Sequence, residues 1–588
     1  MRSREEWTRS AAMIGLLAGM LLLAASRGRI ESARDEPDAH APAADRADNG
    51  SASAADPTAG PGARAPEIRV DEHGRLVRNG VPFFPLLIYS SGTDRERLRE
   101  LREAGFNLTH EYGIGYSEPP ERCVGAFSAR LQRCDEERMP LFYYELSNRS
   151  YGGRNYLLPE WLPAALRGVE QQVRAFKDHP GFAFWSLGEE FHSGGAAQQD
   201  GLRAVSALVR RLDPGRPIVV GDYSPADLAR NLAHADIGIL WSYPDFYRDG
   251  GHRVPLDQMA ARFEELSRLL AERRKPVLGL VQLFNLGIAY PRGLAARRAP
   301  NHFEMRSMTY QAVIHGAAGI GYYHAYGHEA WPGSWLAVKR LGQELSTLSP
   351  VLLDVTAPAC PVQPVRGQVD LMCKRHDGEW FVFAVSRSAN PQVVEFASRG
   401  VKSLHVLGEM RVLPIPDPGG FRDAFRPYEA RVYSTSAGFW PLPPLSRIES
   451  ECEAAEAEFA RREAPNLASF VNGSYFEADG DPYYLHAVNN GEVQIPLPFL
   501  KGVVSLHFAA AKRFTTIEVY GRPLERWNPP VLRAFSNGHW EPLRVVRSEL
   551  DGTATPNRLV LQVEPVTAER VEFTFPGIYA HEIRVFDR

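Results

Sequence analysis

Between Phe84 and His324 the chain alternates short apolar runs with amphipathic stretches eight times. The runs that read as strands are Phe84–Tyr89, Asn107–Tyr112, Leu141–Leu146, Phe182–Leu187, Ile218–Asp222, Ile237–Ser242, Val277–Leu283 and Gly319–His324. Between them, stretches such as Arg95–Glu103, Leu162–Lys177, Leu202–Leu212, Leu256–Glu272 and Glu304–His315 carry apolar residues at helical spacing. Strands that are apolar throughout, rather than on alternate positions, belong to parallel sheets covered by helices on their faces. Eight strand–helix units predict an α/β fold, a closed (β/α)8 TIM barrel spanning 66–356. A short strand pair, Ile68–Val70 and Leu76–Val77, leads into it.

Beyond the barrel the pattern shifts to alternation of apolar and polar residues with Gly and Pro turns. Residues 357–440 read as a small antiparallel β-domain, and 441–464 as a linker with a short acidic helix over Glu449–Arg462. Residues 465–588 read as a β-sandwich of jelly-roll type. Upstream, residues 29–65 are rich in Ala, Asp, Pro and Gly and too poor in large apolar side chains to offset ordering entropy, so they read as a disordered linker. Residues 1–28 place Arg2, Arg4 and Arg9 before the apolar run Ala11–Ala25, the pattern of a signal peptide or an uncleaved signal anchor. Either puts the bulk of the chain outside the cytoplasm, as a secreted, periplasmic or cell-surface protein. The second adds a membrane tether.

A length of 588 residues requires several domains, as the pattern already implies. The net charge of −4, with no basic stripe, argues against nucleic acid as a partner. Five cysteines allow two local disulfides, Cys123 with Cys134 and Cys360 with Cys373, leaving Cys452; five thiols are the alternative. No spacing suggests zinc. His324 and His328 have HxxxH spacing, but it runs from a strand end into a Gly-containing loop, so no metal is expected.

Active sites of such barrels lie at the C-terminal ends of the strands. That rim would gather His110 and Glu111 from the second strand and Glu145 from the third. Trp185 to Glu190 follow from the fourth, Asp222 from the fifth, Tyr243 from the sixth, Gln282 from the seventh, and His324 and Tyr326 from the eighth. Carboxylates, imidazoles and rings on one rim suit a polar ligand with faces to stack on, which points to a carbohydrate.

The fourth run, FAFWSLGEEF, resembles the glycoside hydrolases of clan A, in which this strand ends in Asn-Glu or Asp-Glu. The resemblance implies hydrolysis of glycosidic bonds in a poly- or oligosaccharide without a cofactor. It makes Glu190 the general acid/base, with Glu189 in place of the preceding Asn or Asp. Adjacent carboxylates beside Trp185 would also raise one pKa and keep a proton available near neutrality. NGVPFFPLLIY, DIGILWSYP and FEMRSMTYQAVIHGAAGIGYYHAYG resemble other parts of the same barrels. In the last domain, Ile517–Gly521, Ser536–Trp540 and Glu582–Phe586 resemble the discoidin (coagulation factor C-type) family, which implies carbohydrate binding.

The seventh strand departs from the pattern. KPVLGLVQLFN places Gln282 where the clan carries its nucleophilic Glu, and an amide cannot form a glycosyl ester. Another carboxylate would then serve, Glu304 first, then Glu111 and Glu145, with Asp222 and Glu329 also within reach of the rim. A wider carboxylate spacing would imply inversion through water. The third reading is a non-catalytic glycan-binding protein on a hydrolase barrel. His110, Glu111, Glu145, Trp185, Asp222, Tyr243, Gln282, His324 and Tyr326 are the expected substrate contacts.

Overall fold

The computed structural model describes residues 67–89, 94–111, 120–143, 156–191, 195–270, 275–289, 296–324, 331–356, 359–416, 419–478, 499–523, 529–554 and 556–588. The export segment, the linker, Glu145, Tyr326, His328 and Glu329 lie outside them, as do the side chains of Glu111 and Cys123. Among the described residues no helix is long and apolar enough to cross a membrane, which says nothing of β-barrels.

The chain opens with an antiparallel triplet, β1 (Ile68–Val70), β2 (Leu76–Arg78) and β3 (Val81–Phe83). The barrel units follow as β4 (Leu86–Tyr89), α1 (Arg95–Glu103), β5 (Leu108–Glu111), α2 (Pro120–Glu136), β6 (Leu141–Tyr143), α3 (Leu162–Phe176), β7 (Phe182–Glu189) and α4 (Gly195–Leu212). Next come β8 (Ile218–Asp222), α5 (Pro225–Asn231), β9 (Ile237–Ser242), the short β10 (Phe246–Tyr247), α6 (Gln258–Leu269) and β11 (Val277–Gln282). The unit ends with the short β12 (Arg297–Arg298), α7 (His302–Ile314), β13 (Gly319–Tyr323) and α8 (Pro332–Leu353). The eight main strands close into one parallel barrel in the order β4-β5-β6-β7-β8-β9-β11-β13. β7, β8, β9, β11 and β13 are buried at every position, because helices cover the outside and side chains fill the inside. This is why their sequences are apolar without alternation.

Two antiparallel sheets follow. One contains β14 (Val362–Arg366), β17 (Gln392–Ser398) and β20 (Gly419–Phe425). The other contains β15 (Val369–His376), β16 (Glu379–Ser386), β18 (Ser403–Val406), β19 (Arg411–Pro414) and β21 (Ala430–Ser434). Cys360 and Cys373 are joined, with Cα atoms 5.3 Å apart. Polar anchors tie this unit to the barrel. Arg306 of α7 pairs with Glu344 of α8 at 2.9 Å and also donates to the carbonyl of Ala430. Ser307 Oγ donates to the carbonyl of Tyr428 at 2.6 Å.

The acidic stretch forms α9 (Leu445–Glu463), which starts directly after Pro444, earlier than its charge pattern suggests. It lies so close to α8 that a Cβ on Gly333 would meet the Cys452 carbonyl oxygen at 2.5 Å. The last unit is a sheet of six strands around two long ones, β23 (Phe499–Pro523) and β27 (Asn557–Phe586). They are joined by β22 (Tyr475–Ala478), β24 (Val531–Ser536), β25 (His539–Pro542) and β26 (Val545–Asp551). β23 and β27 pair in two separate stretches and enclose a core that includes Phe514, Ile517, Leu561 and Phe573. The barrel followed by antiparallel β-units is the predicted fold class.

Candidate active site

β7 does not run straight to its end. Ser186 pairs with Val219 and Glu189 with Gly221, so one extra residue bulges from β7 between them. Gly188 takes φ 111°, open to glycine, and its N–H donates to Ser186 Oγ at 3.1 Å. Glu190 follows at φ 60°, while its N–H still donates to the Gly221 carbonyl at 3.0 Å. A non-glycine residue in that region is strained, and strain of this kind is held in place only by surrounding structure. The bulge and the turn break the up–down alternation of the strand and put two consecutive carboxylates, Glu189 and Glu190, at the barrel's C-terminal end. Both are buried, Glu190 at 2% exposure.

Aromatic rings from neighbouring strand ends surround them. The Tyr89 hydroxyl, at the end of β4, donates to Glu189 Oε2 at 3.5 Å. The Tyr89 ring stacks on His110 with centroids 3.6 Å apart and meets Tyr323 edge-on at 5.7 Å. Tyr243 stacks on Tyr323 at 5.9 Å and packs against Phe284 at 5.3 Å. Burial pushes the Tyr243 hydroxyl well above its ordinary pKa, and Tyr323, Glu189 and Glu190 push in the same direction. Tyr243 is therefore a proton-bearing donor within the field of both glutamates. Burial likewise pulls His110 well below its ordinary value, so its ring is neutral.

On β8, the strand beside β7, Asp222 is fully buried, and its Oδ1 accepts from Ser224 N–H at 2.9 Å. Arg262 of α6 donates to the carbonyl of Trp241 and lies 5.7 Å over the Tyr223 ring. Burial lowers the Arg262 guanidinium to about 10 against the pull of Tyr223, Asp222 and Tyr243. Nothing in the local sequence marks Arg262: it sits in an ordinary amphipathic helix, and only the packing of α6 brings it under the rim.

The seventh strand ends as its sequence implied, without a carboxylate. Gln282 is fully buried; its Oε1 accepts from Asp245 N–H at 3.3 Å and its Nε2 donates to the Phe284 carbonyl at 2.8 Å. The amide thus bridges the loops after β9 and β11. Asp245, at φ 62°, gives both carboxylate oxygens to Arg297 Nε, at 2.9 and 3.2 Å. Burial raises the Asp245 pKa against the pull of Arg297.

Two expected site residues have other work. Trp185 packs at 4.3 Å on Phe182 within the helix-facing core and donates Nε1 to Asp213 at 2.9 Å, so it is not a stacking platform. β7 is buried at every position, so its sequence does not show which face Trp185 takes. Glu304 takes two 2.6 Å bonds from Arg298 and closes a capping box with Asn301 at the start of α7. Both its oxygens are thus held at the start of α7, whereas the sequence reads it as the first candidate for the second carboxylate. His324 is buried at the end of the barrel against Trp335, 5.4 Å between centroids.

Among the described residues one group could resemble a metal site: ligand atoms of Glu264, His315 and Asp370 converge within 4.8 Å. Arg387 already fills it, with Nη1 2.7 Å from both Glu264 Oε1 and Asp370 Oδ2. The cluster joins α6 and α7 to β15 and is a salt-bridge junction between barrel and β-domain.

Residues 145–270 match the family described as Glycosyl hydrolases family 2, TIM barrel domain. Over that segment the barrel is similar to a glycoside hydrolase TIM-barrel domain. The matched segment carries β7 with Glu189 and Glu190 and stops before β11 and Gln282. The chain is 30% identical over 230 residues to a beta-glucuronidase of Pongo abelii, covering 36% of this chain and 32% of that one. It is also 30% identical over 223 residues to the beta-glucuronidase of Homo sapiens, covering 35% and 31%. The match thus spans about a third of the length of these curated relatives. A solved glycoside hydrolase family 5 from Bacteroides vulgatus aligns at 15% identity and TM-score 0.46, over 64% of this chain and 96% of that one.

Proposed function

We propose that the protein hydrolyses glycosidic bonds of a poly- or oligosaccharide, with Glu190 as general acid/base. The observation that carries this is the bulged end of β7. It holds a buried carboxylate pair in a strained turn among tyrosines, within the segment that matches a glycoside hydrolase family. Glu190 donates its proton to the leaving oxygen, and the tyrosine rings offer the sugar both faces and hydroxyl donors. The relatives' name makes a β-glucuronide the first substrate to try. Export from the cytoplasm completes the proposal, supported by the N-terminal sequence and by the Cys360–Cys373 disulfide. So does a sugar-binding role for the C-terminal sandwich, in which the discoidin-like stretches Ile517–Gly521 and Glu582–Phe586 are paired neighbours.

Gln282 favours a second reading, a glycan-binding protein on a hydrolase barrel. The two separate in one experiment: a panel of aryl glycosides, including the β-glucuronide, and oligosaccharides is incubated with the protein and with Glu190→Gln. Release of sugar that falls by about 10²–10⁴-fold in the variant supports hydrolysis. Binding without release, equal in both proteins, supports the second reading.

A further inference from the structure

Among the described residues, the groups that would ordinarily supply a second catalytic oxygen near the seventh and eighth strands are engaged elsewhere. Gln282 clamps two loops, Asp245 is held by Arg297, and Glu304 is held by Arg298 and its own helix start. On β4, the strand next to β13, a different oxygen is paired with a base. The Tyr89 hydroxyl points at Glu189 Oε2, one residue from the acid/base. A phenol is a weak nucleophile until a neighbouring group takes its proton, and a tyrosine–carboxylate pair is a known chemical solution for glycosyl transfer.

We propose that Tyr89 is the nucleophile of a retaining hydrolysis and that Glu189 is its general base; this rests on the hydrolytic reading above. In the first step Glu189 Oε2 takes the phenolic proton as Tyr89 Oη bonds to the anomeric carbon. The glycosidic C–O bond breaks, and the leaving oxygen takes the proton of Glu190. In the second step the Glu190 carboxylate takes a proton from water, whose oxygen bonds to the same carbon. The bond between the anomeric carbon and Oη breaks, and Oη recovers its proton from Glu189. One water is consumed, both glutamates return to their starting states, and two inversions give net retention. The surroundings fit these roles. The Tyr89 ring is clamped flat against a neutral His110 and edge-on to Tyr323, which fixes the direction of its hydroxyl. The bulge at Gly188 brings Glu189 and Glu190 to the same end of the barrel, so that base and acid act on one carbon.

The test is covalent trapping in the full chain. The protein is incubated with 2,4-dinitrophenyl 2-deoxy-2-fluoro-glycosides of glucose, galactose, mannose and glucuronic acid, digested with trypsin and read by mass spectrometry. One fluoroglycosyl group on the peptide of residues 79–95, resistant to hydroxylamine, is the expected result. A hydroxylamine-labile label on a carboxylate peptide, such as residues 178–203, overturns the inference and leaves hydrolysis standing. So does release of the inverted anomer, followed by proton NMR. Neither turnover nor label with any donor removes the hydrolytic reading together with this one. Tyr89→Phe, checked for folding by thermal melt, is expected to lose about 10³-fold or more in kcat. If it fails to fold, trapping in the unmodified protein decides.

Discussion

Gly221 lies so close to Glu189 that a methyl group on it would stand 3.2 Å from Glu189 Cβ, and 2.9 Å from the Trp241 ring. The bare backbone of β8 is therefore the surface against which the end of β7 is set. Gly221→Ala is expected to displace Glu189 or the indole and to cost about 1–3 kcal/mol, as overpacked interiors do. Activity should fall more than stability accounts for at a temperature where the variant is still folded. Thermal melts beside kcat measurements check this, and unchanged kinetics would contradict it.

Glu190 carries backbone strain that glycine would not. At φ 60° the usual order of small residues reverses, so Glu190→Gly should be more stable than Glu190→Ala by about 1–2 kcal/mol. Both should be inactive if Glu190 is the acid. Urea titration of the two variants gives the difference directly. An alanine variant as stable as the glycine one would mean that the turn relaxes once the carboxylate is gone.

Gln282→Glu would restore the carboxylate usual in the clan at the seventh strand, but at the cost of a clamp. The new group loses the donation to the Phe284 carbonyl and sets two oxygens against each other in a buried place. The folded state then favours the protonated acid, so its pKa rises above the unfolded value near 4.3. The destabilisation, about 1–3 kcal/mol, should grow as pH rises past that value and fade in acid. Melts between pH 3 and 8 test the sign; hydrolysis is not expected to improve.

Trp185→Phe separates packing from substrate contact. The indole N–H bond to Asp213 is lost, at about 1–3 kcal/mol of stability. KM for any substrate found should stay unchanged. A raised KM with unaltered stability would return Trp185 to the cleft.

The junction around Arg387 predicts an acid limit on the contact between barrel and β-domain. Burial alone would push the Asp370 carboxyl up, but hydrogen bonds from His315 and Arg387 outweigh it and hold the group below its ordinary value. A lowered carboxylate pKa stabilises the fold above the unfolded value, near 3.9, and that stability is lost as pH falls through the folded one. Asp370→Asn should therefore be less stable than the unmodified protein by about 1.5 kcal/mol at pH 6. The gap should narrow as pH falls below that unfolded value and the carboxyl takes up its proton. A gap that persists there would assign it to shape rather than charge.

The barrel was legible because burial on both faces leaves a direct trace in sequence. Ile218–Asp222 and Ile237–Ser242 were readable to the residue, and β7 ran two residues further than expected. Strand ends were legible too, which brought Glu189, Glu190, Tyr243 and Asp222 onto one rim. A strand apolar at every position carries no alternation to show which way a side chain points, so its sequence offers Trp185 to the cleft while the structure turns it to the helix-facing core. The Asn301–Glu304 spacing, by contrast, is itself a capping signature, and it outweighed position on the rim. Arg262 and the Arg297–Asp245 pair depend on loops and helices meeting across the top, and no local pattern encodes that.

The long pairing of β23 with β27 bears on the order in which the chain folds during synthesis. The barrel has all its strands once Tyr323 has left the ribosome, since β13 joins β11 and β4. The C-terminal β-unit must wait: Ile517 takes Val585 as a neighbour, and Asn466 and Leu467 bond to Val585 as well. Its first and last segments are thus sewn together at the end of translation. A nascent chain would carry a closed barrel while its final module still hung open, and a chain cut short near the finish would leave that barrel trailing an unpaired, apolar sheet.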